Sequence, residues 1–216
     1  MKRKMLVIVA MIDMIFSLSV VSAKEVEVND AATLLAAFKN AESGDVVKLI
    51  DNITYTLPER VLVSTDVTLN MNNHNIDFDG ASVRSFTVQD GSLNIIGKGT
   101  ISHLEHNALN VRGTTDKTKV NYSTLKVGKD VTVNGLYGIA VFYDPENKKI
   151  GYGVNVEFAG KIESTEGGIT INGNLQNAEG APVINILDGA VINSKKNWFI
   201  RSRKWYLEYW QSKYYR

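Results

Sequence analysis

The chain has 216 residues, with 24 lysines and arginines, 23 aspartates and glutamates, three histidines and no cysteine. The lack of cysteine excludes a disulfide framework. Between residues 24 and 194 there are 14 bases and 21 acids, so this part of the protein is acidic, with a charge near −7. Such a body argues against nucleic-acid binding, which needs a basic surface to replace the counterions of the phosphates.

The first 23 residues are organised as a secretory signal peptide. Residues 2–4 are basic, residues 5–21 are mainly apolar and contain Asp13 as their one charged residue, and residues 21–23 provide small side chains for cleavage. The alternative is an uncleaved membrane anchor, which the short stretch and its acid disfavour. No cysteine follows, which argues against a lipoprotein. We therefore expect a bacterial exported protein, secreted or at the cell surface, long enough to form one core without disulfides.

One amphipathic helix is predicted after the signal peptide. Asp30 occupies the N-cap position, and Gly44 lies where the helix should end. We expect this helix to cover the open end of a strand solenoid and to block pairing at its first edge. Its apolar stripe consists of Leu34, Leu35, Phe38 and Ala41.

The following segment repeats one unit, a short strand with alternating apolar residues, a Gly, Asn or Asp turn, and a second short strand. An imperfect repeat of this kind predicts a stacked solenoid, because one unit cannot bury its apolar face alone. We therefore predict an all-β parallel solenoid over residues 24–194, with the central residues of all copies in one continuous core. Five copies, unevenly spaced along the chain, are centred on Leu69, Leu93, Leu125, Val156 and Ile184.

The capping helix, followed by SGDVVKLIDNITYTL and DVTLNMNNHNI, resembles the start of pectin-lyase-like, right-handed parallel β-helix proteins. It is most similar to those of bacterial surface and adhesin-like proteins. The resemblance covers residues 25–193 and implies a right-handed parallel β-helix. Enzymes of the family cleave pectin-like polysaccharides with acid clusters that bind calcium beside a basic residue, or with groups of aspartates as general acid and base.

Asp77 and Asp79 form the closest acid pair in the repeats, and alternate residues of a strand share a face. Such a pair could bind calcium, which prefers oxygen ligands, or act as acid and base on a glycosidic bond. We favour a different interpretation, a strand end that runs into an Asp-Gly turn. No catalytic residue and no cofactor is therefore predicted, although the pair could bind calcium.

The histidines do not form a recognisable metal motif. His103 and His106 flank Glu105, a spacing that could bind a transition metal, but the pattern provides no clear third ligand. His74, in a turn, is predicted to be solvated. The asparagines that recur near turns are interpreted as side-chain ladders between stacked coils. They are Asn70, Asn72, Asn73, Asn75, Asn94 and Asn110.

Aromatic residues suggest a weak binding site. Tyr137, Tyr143 and Tyr152 could form a platform for glycan rings, and buried corner packing is an equally good interpretation. The longer insertions, at residues 104–123 and 142–153, would project from one side of the solenoid. We expect any ligand to bind on that side.

The last segment, residues 195–216, departs from the repeat and has seven bases, one acid, all three tryptophans and four of the nine tyrosines. We interpret it as an eroded or truncated end outside the solenoid. The alternative is a basic aromatic segment that contacts a membrane or another anionic surface.

Together these features predict a non-catalytic surface module with adhesin-like glycan or host-matrix binding, or a structural stalk. The alternative is a polysaccharide lyase or glycoside hydrolase that acts on pectin-like polymers. A cluster of acids on one outward face of successive coils would discriminate between the two, and the sequence shows one pair.

Overall fold

The computed structural model describes residues 23–81, 85–114, 123–143, 153–173 and 182–201. The predicted signal peptide lies outside these residues, apart from Ala23. One helix, α1 (Ala31–Lys39), lies near the N terminus. The strands are β1 (Glu25–Val28), β2 (Val46–Leu49), β3 (Ile53–Thr54), β4 (Leu62–Val63), β5 (Asp66–Asn70), β6 (Ile76–Asp77), β7 (Phe86–Val88), β8 (Ser92–Ile96), β9 (Gly99–Arg112), β10 (Ser123–Val127), β11 (Val131–Tyr143), β12 (Val154–Phe158), β13 (Lys161–Gly173), β14 (Val183–Ile186), β15 (Val191–Ser194) and β16 (Asn197–Arg201).

Every strand pair among the described residues is parallel, and the strands fall into three stacks. The first face is a seven-stranded sheet in the order β1-β2-β5-β8-β10-β12-β14. The second face runs through β3, β6, the first halves of β9, β11 and β13, and β15. The third face runs through β4, β7, the second halves of the same long strands, and β16. The prediction of an all-β parallel solenoid is thus confirmed.

The core is built from inward side chains that lie above one another in successive coils. Leu93, Leu125 and Val156 pair in register and are fully buried. Ile184 continues this column in the last coil, where it is half-buried. Because residues of a strand alternate between its two faces, the polar residues between them point to solvent.

The spacing of the repeat centres does not by itself give the register of the first coils. Leu69 is fully buried, as expected, but it pairs with Ile95 and not with Leu93, whose partner is Val67. Leu93 and Ile95 are two positions apart on one strand and point to the same face, so either pairing keeps Leu69 in the core, as predicted. The column through Leu69 contains positions 47, 69, 95, 127, 158 and 186, so the coils differ in length.

The corner between the second and third faces varies from coil to coil. In β11 the corner consists of Leu136 alone. The corner of β9 is longer and consists of residues 104–106, and that of β13 consists of residues 165–166. The tight turn of β11 requires Gly135, because a Cβ there would lie 2.5 Å from the carbonyl oxygen of Tyr137. The longer corners of the neighbouring coils therefore protrude beside that of β11.

The predicted helix begins where expected and ends early. Asp30 is the N-cap, with a carboxylate that accepts a 2.7 Å hydrogen bond from the backbone amide of Thr33. The hydroxyl oxygen of Thr33 in turn accepts a 3.1 Å hydrogen bond from the backbone amide of Asp30, which completes a capping box. The Thr33 amide also holds the pKa of Asp30 below its usual value. The helix ends with Asn40 as the C-cap, and Gly44 instead provides a positive φ of 96° in the turn before β2.

Helix α1 covers the first coil, as predicted. Leu34, Ala37 and Phe38 are buried, and the ring of Phe38 packs edge-on against that of Phe86 at 5.3 Å. The helix contacts β1, β2 and β4. It therefore shields the N-terminal end of the apolar core from water.

The solenoid continues beyond residue 194, where the sequence suggested a boundary. Strand β16 pairs with β13 and extends the third face through residues 197–201. Residues 202–216 lie outside the described part of the chain, so the interpretation of that segment as an eroded end remains a prediction.

Candidate functional site

The acid pair links one coil to the next. Asp77 ends β6, and its carboxylate accepts hydrogen bonds of 2.9 Å from the Asp79 amide and the Ser102 hydroxyl. The carboxylate of Asp79 accepts a hydrogen bond from the backbone amide of Leu104. The intervening Phe78 is fully buried, so the two carboxylates do lie on the outer side, as predicted. Both carboxylates are already used in inter-coil hydrogen bonds.

His103 is fully buried, which the sequence did not predict. Its ring stacks on that of Phe78 at 6.2 Å and meets the edge of His106 at 4.8 Å. Its Nδ1 atom is 3.9 Å from a carboxylate oxygen of Asp79. Among the described residues, no group of three His, Cys, Asp or Glu side chains is placed to hold a metal ion. The alternation Ile101-x-His103 within β9 was the signal for an inward histidine.

The asparagines of the first corner form the expected ladder. The side-chain oxygen of Asn52 accepts a hydrogen bond from the Asn75 amide at 2.8 Å. The side-chain oxygen of Asn75 accepts one from the Thr100 amide in the following coil at 2.9 Å. Asn110 is buried and donates to the carbonyl of Phe86 at 3.1 Å. Asn75 thus takes part in the predicted ladder, whereas Asn110 bonds to a backbone carbonyl of the preceding coil and not to another asparagine.

The described residues do not bring the three predicted tyrosines together. Tyr137 is half-buried at the corner of β11, paired with Asn107 and Gly167. Tyr143 is the last residue of β11, with a side chain outside the described part. Tyr152 lies outside it altogether. The aromatic platform therefore remains a prediction.

A column of outward polar side chains runs along the second face. Asp77, Ser102, Asn134, Glu163 and Asn193 pair in register, one from each successive coil. Parallel strands lie about 4.8 Å apart, so these side chains repeat at that spacing along the solenoid axis. We call these five residues the polar column.

The last part of the polar column opens into a groove of about 680 Å³. Two hydroxyl oxygens near its wall, Thr165 Oγ1 and Ser194 Oγ, are buried without a hydrogen-bond partner in the described structure. Leu104 lies at its rim with half of its surface exposed. The lining comprises Leu104, Asn134, Glu163, Ser164, Thr165, Ile192, Asn193, Ser194, Lys195 and Lys196.

Two of the charged side chains that line the groove, Glu163 and Lys196, are held in ion pairs. The Glu163 carboxylate lies 2.5 Å from the Lys161 ammonium and accepts a 3.1 Å hydrogen bond from the Asn193 amide. The hydrogen bond from Lys161 is the main cause that lowers the pKa of Glu163, and the hydrogen bond from Asn193 adds to it. Glu163 is therefore ionised at neutral pH. Lys196 pairs with Glu166 at 2.6 Å across the corner. The groove thus offers acceptors and donors together, with little net charge.

Sequence reasoning did not single out the groove, although a signal was present. Asn134, Glu163 and Asn193 occupy the same outward position in the second strand of three consecutive repeats. An alignment of the second strands, in addition to the first, would have placed the three side chains in one column.

Comparisons with models of protein families, with curated proteins and with solved structures find no match. No helix in the described ranges is long and apolar enough to cross a membrane. The fold and the groove are therefore the observations from which a function can be argued.

Proposed function

We propose that this protein is an exported, non-catalytic β-solenoid module that binds an extracellular glycan or matrix polymer. The proposed binding site is the groove at the end of the polar column. The observation that carries the proposal is the alignment of Asn134, Glu163 and Asn193 in one groove. We further propose a secreted or cell-surface location with an adhesin-like role, on the basis of the N-terminal sequence and the resemblance to surface proteins.

The chemistry of the groove suits a hydroxyl-rich ligand. Sugar hydroxyls both donate and accept hydrogen bonds, and the lining offers carboxylate and amide acceptors beside amide, hydroxyl and ammonium donors. Leu104 adds an exposed apolar surface for the C–H face of a sugar ring. A volume of about 680 Å³ lies within the range of small-ligand sites.

The arrangement of the acids supports a binding role over a catalytic one. A lyase or hydrolase of pectin-like polymers would need carboxylates directed at the polymer. Asp77 and Asp79 hold the next coil, and Glu163 and Glu166 are paired with lysines. These carboxylates therefore serve the architecture and the groove lining.

A binding assay with a matched pair of variants tests the proposal. The exported chain is titrated with soluble polysaccharides, and binding is measured by calorimetry. Asn193→Ala removes a groove amide, whereas Asn185→Ala removes an amide from the first face of the same coil, outside the groove. We expect the first variant to weaken binding about tenfold, the effect of one lost hydrogen bond of ~1.4 kcal/mol. The second should bind as the unmodified protein does.

Two outcomes would contradict the proposal. Equal losses in Asn193→Ala and Asn185→Ala would show that the groove is not the binding site. Cleavage of the polysaccharide during the titration would instead support the enzymatic alternative.

A further inference from the structure

The described solenoid leaves one strand edge of each face open at both of its ends. The edge strands are β1, β3 and β4 at the N-terminal end and β14, β15 and β16 at the C-terminal end. Among the described strands, each of these six pairs with one neighbour only. An open edge presents backbone N–H and C=O groups that can pair with another chain. The two ends are therefore the surfaces where we expect association.

Exposed apolar side chains concentrate at the same two ends. Val183, Leu187 and Val191, in the last coil, are 53%, 46% and 44% exposed. Ile50 and Leu62, in the first coil, are 43% and 47% exposed. Only two of the seven large apolar side chains that are exposed in the described part lie in a middle coil. Apolar surface gathered beside open strand edges is typical of an interaction site.

Strand β1 directs alternate backbone groups toward its open edge. The carbonyls of Lys24 and Val28 accept hydrogen bonds of 2.8 and 3.0 Å from backbone amides of the next coil. Because alternate residues of a paired strand direct their N–H and C=O groups to opposite sides, those of Glu25 and Glu27 point away from β2. Val26 and Val28 direct their side chains toward the core.

Strand β14 has the same arrangement at the other end. The amide of Leu187 donates a 2.8 Å hydrogen bond to the carbonyl of Phe158 in the preceding coil. The backbone groups of Ile184 and Ile186 therefore point away from β12. The side chains of these two residues face the core and are only half-buried. A further parallel strand on β14 would complete both their hydrogen bonds and their burial.

Helix α1 leaves room for a second chain at the N-terminal end. It covers the core next to β1, and β1 remains the edge of the first sheet among the described strands. The exposed side of the helix carries Ala32 and Ala36, one turn apart, which are small enough for close approach of another chain. In the last coil, the half-buried Ile192 is the core residue of the second face that such a helix would cover.

Charge and strand direction select a head-to-tail arrangement. Residues 23–63 have seven acids and four bases, whereas residues 182–201 have one acid and three bases. Unlike ends attract each other, and two like ends repel. A second copy that is shifted along the solenoid axis also keeps every strand pair parallel. Two C-terminal ends that met with their apolar side chains inside would have to pair antiparallel.

We propose that copies of this protein stack head to tail, with the last coil of one copy against β1 and α1 of the next. Strand β14 of one copy continues the first sheet through β1 of the next, with Ile184 beside Val26 and Ile186 beside Val28. Because this interface joins two different surfaces and does not close on itself, it generates linear filaments. The proposal concerns the ends of the solenoid and does not depend on glycan binding in the groove.

The mass of the exported chain in solution tests the stacking. Light scattering measures the mean mass at increasing protein concentration, and electron microscopy shows the shape of the particles. We expect the mean mass to rise with concentration beyond that of a dimer, because each added copy presents a new open end. The particles should be linear and one solenoid wide.

Two double variants each block one end. Leu187→Asp with Val191→Asp adds acids to the C-terminal end, opposite the acidic end of the next copy. Glu25→Lys with Glu27→Lys adds bases to the N-terminal end, opposite the basic end of the previous copy. Each should raise the concentration of half-association by about tenfold or more, because like charges across an interface are costly. The far-UV circular dichroism should stay unchanged.

A mixture and a control make the assignment specific. An equal mixture of the two double variants should associate again, because each contributes the end that the other has lost. The matched control is Ile96→Asp with Leu104→Asp, which alters side chains that are 39% and 50% exposed in a middle coil. The control should associate as the unmodified protein does.

Three results would overturn the proposal. A mass of one chain at every concentration up to about 1 mM would show that the ends do not associate. Dimers that grow no further and persist in the Glu25→Lys, Glu27→Lys variant would assign the C-terminal end to a symmetric pair. Equal weakening by Leu187→Asp with Val191→Asp and by the control would place the interface elsewhere on the solenoid.

Discussion

Replacement of Leu125 by alanine tests the continuous core at its centre. Leu125 has no exposed surface and lies in register between Leu93 and Val156. Leucine-to-alanine changes at such sites cost roughly 2–5 kcal/mol, and we expect about 3 kcal/mol here because parallel coils cannot close the cavity without losing register. For a chain of this length, each kcal/mol lowers the melting temperature by about 2–4 °C. The expected fall is therefore about 6–12 °C.

Urea denaturation, followed by far-UV circular dichroism, measures the loss of unfolding free energy. The control is Val183→Ala, which shortens a β-branched side chain of the same sheet at a position that is 53% exposed. It should change the unfolding free energy by less than about 0.5 kcal/mol. Leu125→Asp should cost more than Leu125→Ala, because it buries an unpaired charge. Equal effects of Leu125→Ala and Val183→Ala would refute the reasoning.

Three further outcomes are expected. Asp30→Ala removes the N-cap acceptor of α1 and should lower the melting temperature, which thermal denaturation would detect. Burial raises the pKa of Tyr55 to about 12, above its unfolded value of 10.0. The contribution of the protonated Tyr55 to the unfolding free energy should therefore be fully present below pH 10 and be lost as the pH rises to 12. Between pH 10 and pH 12 the urea midpoint should fall less steeply with pH in Tyr55→Phe than in the unmodified protein. An equally steep fall in both proteins would contradict the assignment of the stability loss to Tyr55. Polygalacturonate should remain uncleaved with or without calcium, whereas turnover that disappears in the Asp77→Asn, Asp79→Asn double variant would establish the enzymatic alternative.

The acid pair illustrates the limit of a motif in a repeat protein. In the sequence, Asp77 and Asp79 have the spacing of two carboxylates on one strand face, and they do share the outer side. Their partners, Ser102 and Leu104, belong to the next coil, far along the chain from the two acids. Only the stacking of the coils shows that these carboxylates serve as inter-coil acceptors.

The start of the helix and the inward faces of the strands were specified by the sequence. Asp30 was predicted as the N-cap, and the structure adds Thr33 as the partner that completes the capping box. The alternation of apolar residues placed Leu93, Leu125 and Val156 inside, because side chains of a strand point to opposite faces in turn. Short strands that repeat at an imperfect period cannot bury their apolar faces one unit at a time. The repetition therefore predicts a stacked solenoid.

The register of the strands and the side-chain contacts between coils were decided by the tertiary structure. The alternation determines which face a side chain occupies but not its partner in the next coil, because the turns between coils differ in length. The sequence therefore placed Leu69 in the core, and its partner Ile95 is known only from the structure. For the same reason, the contact of His103 with Phe78 and the enclosure of the groove around Glu163 are seen only when the coils are stacked, since these neighbours come from other coils.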